Sequence, residues 1–214
     1  MKLGELKLES LIMILPSESL LCDAEDNDTL REKMLELRED SNYSDYLISM
    51  PGAFNRCFTS LESKGLVPCK CFNVEKGTLE RRGNSLYLDL KKISDVGAVK
   101  NIYYYSEHSS PCLCEFSAFG SGILIKDFKD GTFVVEYTPV IKRITNITAD
   151  TGPIDLPEDL LALIPYFIKS ELLREENEKE ASLARNTYEA MADELLNKQV
   201  GYQASVESVY EVHI

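Results

Sequence analysis

The period of the hydrophobic pattern changes twice along this chain, and that constrains the fold more than any single motif. Between about 30 and 65 apolar residues recur every three or four positions. Leu30, Met34 and Leu37 share one side of a helix predicted over about 30–38, with Thr29 as its cap and Glu32 completing a capping box. Tyr46, Leu47, Met50, Phe54, Cys57, Phe58 and Leu61 form a longer stripe. Its regular helix is expected to start at Pro51 and to end at Gly65, with Pro68 blocking continuation. The leucines of residues 1–24 fit neither period, and a short helix is the expectation there.

From about 66 to 148 the period becomes two. Strands are predicted at 69–75, 85–91, 99–105, 113–119, 121–126 and 132–139, separated by turn signals such as "RRGN", "SDVG", "EHSSP" and "FGSG". After 148 the helical period returns. Asp155 is the expected cap of a helix containing "DLPEDLLALIPYFIKSELLREE", and a second helix is expected over about 178–198. Pro165 leaves two accounts of the first: a short turn followed by a helix starting at the proline, or one kinked helix. The apolar residues surrounding it point to burial on more than one side.

Short connections then favour an α+β fold: an antiparallel helical bundle made from both chain ends, with an inserted antiparallel β-sandwich or small barrel. The expected divisions are 1–65 for the N-terminal helical segment, 66–148 for the β domain, and 149–199 for the C-terminal helices. Residues 200–214 lose the helical period and read as an extended C-terminal arm with no local partner. Tyr202, Val206, Val209, Tyr210 and Val212 are the candidate interface residues on that arm.

The 214 residues carry a net charge of −13. Phosphate wrapping needs Lys/Arg clusters, and none is present, so sequence-specific nucleic-acid binding is not expected. An acidic wall would let DNA slide past without sticking. The apolar run Leu11–Leu15 is too short to span a bilayer and lacks a basic leader, so neither a membrane segment nor a signal peptide is expected.

No residue pattern points to catalysis. His108 and His213 have no credible partners, and Ser121 in "FGSGIL" reads as part of a hairpin turn, not as a nucleophile. "DAEDND" lacks the glycine and the terminal glutamate of a calcium loop. The pairs Cys69/Cys71 and Cys112/Cys114 have Cys-x-Cys spacing, tighter than a zinc knuckle uses. On strands each pair would share a face, and inward-facing reduced thiols are the expectation for them. Cys22 and Cys57 complete the set. "IYYYSE" at 102–107 predicts alternating tyrosines, one face in the core and one at an interface. Neither a cofactor nor a metal site is expected, although a site made of carboxylates alone leaves no motif, which keeps a small hydrolase open.

Two stretches carry a family resemblance. "MPGAFNRCFTSLESKGLVPCKCFNV" at 50–74 is a helix with an Asn-Arg pair and a Leu-x-Pro exit into a strand. Residues 135–195 run from a strand ending Tyr-x-Pro through a threshold loop, Leu-Pro-Glu, an apolar helix and an acidic bend to a helix with "ARNTY". In this order of features the chain resembles the head-to-tail connector (adaptor) proteins of tailed bacteriophages, the class that includes the tail tubular A proteins of short-tailed phages. The alanine common in that family near Lys169 and Ser170 is missing, and 200–214 has no counterpart.

The resemblance implies a structural virion protein in the neck or tail, made in the host bacterial cytoplasm. It implies a closed homo-oligomeric ring, usually a dodecamer, that binds the portal and the tail or next neck protein while DNA passes through. A cellular β-domain module that recognises a peptide or glycan is the alternative.

Overall fold

A computed structural model describes residues 1–16, 26–93, 95–106, 109–126 and 131–210, with 109–110 and 199–210 as backbone alone. The fold is α+β. Met1–Leu66 together with the chain from Lys142 form one compact unit, and Val67–Ile141 form another.

The helical unit contains α1 (Leu3–Ile14), α2 (Asn27–Glu39), α3 (Ser44–Ser63), α4 (Glu158–Leu161), α5 (Ile164–Leu172) and α6 (Glu178–Tyr210). Pro165 lies in the first turn of α5, where its missing N–H removes no helical bond. The short turn α4 and the helix α5 are therefore separate, and no kinked helix exists here. Helices α1, α3 and α6 all contact α5, and its Ile164, Pro165, Phe167, Ile168 and Ser170 are buried. Phe167 meets Tyr188 of α6 edge-on at 5.0 Å between ring centroids. Tyr188 is fully buried and donates its hydroxyl to Ser60 Oγ on α3 at 2.8 Å. Burial pushes its phenol up to about 12.

Helix α1 explains its own lack of period. Leu3, Leu6, Leu8, Leu11 and Ile14 are buried on several sides of it, and so are Gly4, Lys7 and Ser10. A helix covered almost all round shows no amphipathic stripe.

Several helix ends differ from expectation. Helix α2 starts a turn early: Asp26 is its cap and accepts bonds from the Thr29 N–H at 2.6 Å and the Thr29 hydroxyl at 2.8 Å. Its two carboxylate oxygens satisfy both groups, which displaces the expected threonine cap. Helix α3 starts at Ser44, with Pro51 inside it. An interior proline costs about 3 kcal/mol, and the burial of Leu47, Met50, Ala53 and Phe54 around it offsets that cost. Gly65 does end α3, at φ 71°, with Leu66 N–H bonding Leu61 C=O and Gly65 N–H bonding Glu62 C=O. The residue preceding α4 is Pro157, not Asp155. Asn177 caps α6 by accepting from the Glu180 N–H.

The expected extended arm is helical as far as Tyr210, with Gly201 inside α6. The acceptable cost of an interior glycine, about 1 kcal/mol, explains why it does not stop the helix. Val212, His213, His108 and Cys22 lie outside the described residues, and Tyr202, Val206, Val209 and Tyr210 are described as backbone only.

The β unit has two antiparallel four-stranded sheets. One orders β1 (Lys70–Glu75), β8 (Thr132–Pro139), β4 (Val96–Ser106) and β5 (Ser109–Leu113). The other orders β2 (Glu80–Arg82), β3 (Ser85–Asp89), β7 (Gly122–Lys126) and β6 (Phe116–Phe119). Val74, Ile102, Phe133 and Val135 of the first share one core with Leu86, Ile123 and Ile125 of the second. The turn expected at "RRGN" contributes strand β2, and the strand expected at 113–119 is split between β5 and β6. Gly122 is required where it stands: a Cβ there would strike the Leu88 carbonyl and come within 2.8 Å of the Tyr87 ring.

The boundary after the β unit falls at Ile141, not 148, because Ile144 is buried in the helical unit and both its backbone groups are taken by Asn55. Asn55 Nδ2 donates to the Ile144 carbonyl and Asn55 Oδ1 accepts the Ile144 N–H, each at 2.8 Å. Asn55→Ala would leave both groups without these partners and should lower stability by about 1–3 kcal/mol. Denaturant unfolding measures this; a change below about 0.5 kcal/mol, the range of neutral surface substitutions, would contradict the bracket's role.

Candidate functional site

The features with most chemical character in the helical unit converge on the segment 143–153, which connects the last strand to the C-terminal helices. Asp150 is at its centre. Its Oδ1 accepts from Lys7 Nζ of α1 at 2.7 Å, and its Oδ2 from an Arg38 terminal nitrogen of α2 at 2.6 Å. The side chains of Lys7 and Asp150 are only 5% and 10% exposed, so this pair is held out of water. The backbone reinforces it: Gly4 N–H bonds the Asp150 carbonyl at 2.7 Å and Leu3 N–H bonds the Gly152 carbonyl at 2.9 Å. Two cations share one carboxylate here.

Beside this node is a cleft of about 350 Å³ lined by Lys7, Arg38, Ser44, Leu47, Ile48, Pro51 and Asn146. Ile48 on its wall is 68% exposed, and Ile147, next along from Asn146, is 94% exposed. At the other end of the segment Arg143 reaches Glu62 of α3 at 2.6 Å. Of the Asn-Arg pair in α3, Asn55 brackets Ile144, and Arg56 pairs with Glu171 of α5 at 2.6 Å.

Lys169 has a structural role. Its Nζ donates to the Met13 carbonyl in the last turn of α1 at 2.8 Å and pairs with Glu180 of α6 at 2.9 Å. A cation at a helix C-terminus satisfies a carbonyl that has no partner within the helix. Ser170 is buried and turns its hydroxyl back to the Phe167 carbonyl. Arg185 stacks over the Phe167 ring at 4.7 Å.

In the β unit the tyrosine run alternates. Tyr104 is buried, whereas Tyr105, on the opposite face, is 40% exposed. Tyr103 shares that outer face and is half-buried; Leu113, directly across from it, is 62% exposed. Glu136 on the same sheet accepts from Asn101 at 2.7 Å. A second cleft, of about 620 Å³, is lined by residues including Phe72, Leu79, Arg82, Asp89 and Ile93.

The expectation of inward-facing cysteine pairs is corrected. Cys69 and Cys71 are exposed, because Phe72 and Val74 take the core side of β1. Cys112 is exposed and Cys114 buried, because β5 ends at Leu113 and the pair straddles its end. Burial raises the Cys114 thiol to about 11, with Cys112 beside it adding to the effect. Among the described residues no three His, Cys, Asp or Glu side chains are grouped to hold a metal ion. Among them, too, no helix is long and apolar enough to cross a membrane.

The interface residues expected on the arm, Tyr202, Val206, Val209 and Tyr210, fall on the backbone of α6, and Val212 falls outside the described residues. Sequence reasoning missed Asp150 and Lys7, although Lys7 is the one cation within α1 and thus a signal of a buried partner. No protein-family model matches the chain, and no curated protein shows significant similarity to it.

Asp150→Asn would leave the buried Lys7 without a counter-charge and should cost about 3–5 kcal/mol. Adding Lys7→Met should restore most of that loss. Urea unfolding of both variants checks this; a single variant as stable as the parent would show that the pair is not held out of water.

Proposed function

We propose that this chain is a structural connector of a tailed-phage virion, forming a closed ring between the portal and the tail. On this reading the helical unit is an antiparallel bundle closed by both chain ends, and the β unit is an inserted sandwich.

One observation carries the proposal. The last buried residue among those described on α6 is Ala192, yet the helix continues to Tyr210. That is about 27 Å of helix at 1.5 Å per residue. Leu196, just beyond the core, is 37% exposed, and Asp193, Glu194, Asn197 and Lys198 are exposed around it. Most helical stability in proteins comes from packing, and 193–198 have little of it among the described residues. In the sequence Tyr202, Val206, Val209 and Tyr210 recur at the spacing of a helical stripe, which suits a protein neighbour.

The other features agree with a role in assembly. The bonds of Asn55 and Asp150 tie the segment from 143 to 153 to α1, α2 and α3, which suits a part that meets its neighbours at fixed geometry. Repetition around a ring uses one heterologous contact that closes on itself. The charge of −13 suits a channel that DNA crosses without being held. The second reading, a cellular module that recognises a peptide or glycan, draws on the outward Tyr105 and Leu113 of the β unit.

Removing residues 200–214 tests the role of the arm. The thermal midpoint of the remaining chain should move by no more than a few degrees, while assembly with the cognate portal, followed by mass photometry, should be lost or weakened. Assembly equal to that of the full chain would refute an arm that docks.

A further inference from the structure

We infer that the cleft between α1, α2 and α3 is the receptor for the C-terminal segment 200–214 of a second copy of this chain. The inference rests on the ring reading and names the contact that would close it.

The cleft has a cationic end and an apolar wall. Lys7 and Arg38 stand at the first, and Leu47, Ile48 and Pro51 form the second. Asp150 neutralises only one of the two cations. The Arg38 side chain is 44% exposed and uses a single terminal nitrogen for Asp150, so its planar fork retains donors for a further carboxylate. Lys7 is buried, so it contributes charge beneath the cleft, and Arg38 is the cation that a docking carboxylate can reach. Asn146 and Ser44 add neutral polar groups at the rim.

The segment 200–214 matches that chemistry. Its charged residues are Glu207 and Glu211, and it carries neither Lys nor Arg. Tyr202, Val206, Val209, Tyr210 and Val212 supply the apolar part. An acidic, apolar segment of an acidic protein has few places to dock on a copy of itself, and a cleft lined by Arg38 and Lys7 beside an exposed isoleucine is one. Charge pairs of this kind fix register as well as affinity. The occupant is assigned to another copy because α6 runs on as one continuous helix to Tyr210, about 27 Å past Ala192, the last buried residue among those described on it. The contact is then head to tail, the arrangement that closes a ring.

Photo-crosslinking in the full chain tests this. Ile48, whose exposure makes its replacement harmless to folding, is replaced by p-benzoylphenylalanine. Isotope-labelled and unlabelled copies are mixed, assembled with the portal, irradiated and digested. The expected product joins position 48 of one copy to a peptide within 200–214 of the other. Glu207→Lys with Glu211→Lys should lower its yield about tenfold. Assembled rings whose cross-links from position 48 lead elsewhere, to the portal or within one copy, would overturn the docking but leave the ring intact as a proposal. Absence of any assembly would overturn both.

Discussion

The helical unit depends on covering α5 from several sides at once. This helix is short, has a proline in its first turn, and buries Ile164, Phe167 and Ile168. Helices α1 and α3 come from one end of the chain, and α6 from the other. Neither end alone contains all of its neighbours. The β unit, Val67–Ile141, lies between these segments in sequence, and the chain returns to the helical unit from Lys142. Asn55 and Asp150 hold it there. One side chain takes both backbone groups of Ile144, and one carboxylate is fixed by two cations from different helices. Exposed ion pairs contribute little to stability, but the Lys7–Asp150 pair is buried, and removing one partner of such a pair costs more than the pair contributes.

The fold class was legible because the hydrophobic period switches. The strands at β3, β7 and β8 follow from alternation, and α3 and α6 from their stripes. Helix boundaries were less legible. Pro51 and Gly201 look like breaks, yet packing around the first and the low cost of the second let the helices run through them. Asp26 is hard to single out because it lies in a run where Asp23, Asn27, Asp28 and Thr29 are equally good cap types. Helix α1 was obscured by its own burial.

The candidate site was hardest to read for a different reason. Its parts come from α1, α2, α3 and the segment after the β unit, so no local spacing connects Lys7, Arg38 and Asp150. What the sequence carries is indirect: a lone cation among leucines and an asparagine within an apolar helical stripe. The cysteine pairs show the opposite failure. Cys-x-Cys suggested a shared face, but β5 stops between Cys112 and Cys114, and in β1 the aromatic and valine side chains occupy the core side instead.

Asn55 and Asp150 tie the returning chain to α1, α2 and α3, and α6 continues as helix to Tyr210. The proposed ring is most directly tested by electron microscopy of the full chain mixed with its cognate portal. The account predicts closed, cyclically symmetric particles with the α6 helices packed between neighbouring subunits or against the portal. Particles that remain monomeric, with no density added to the portal under any condition, would contradict it.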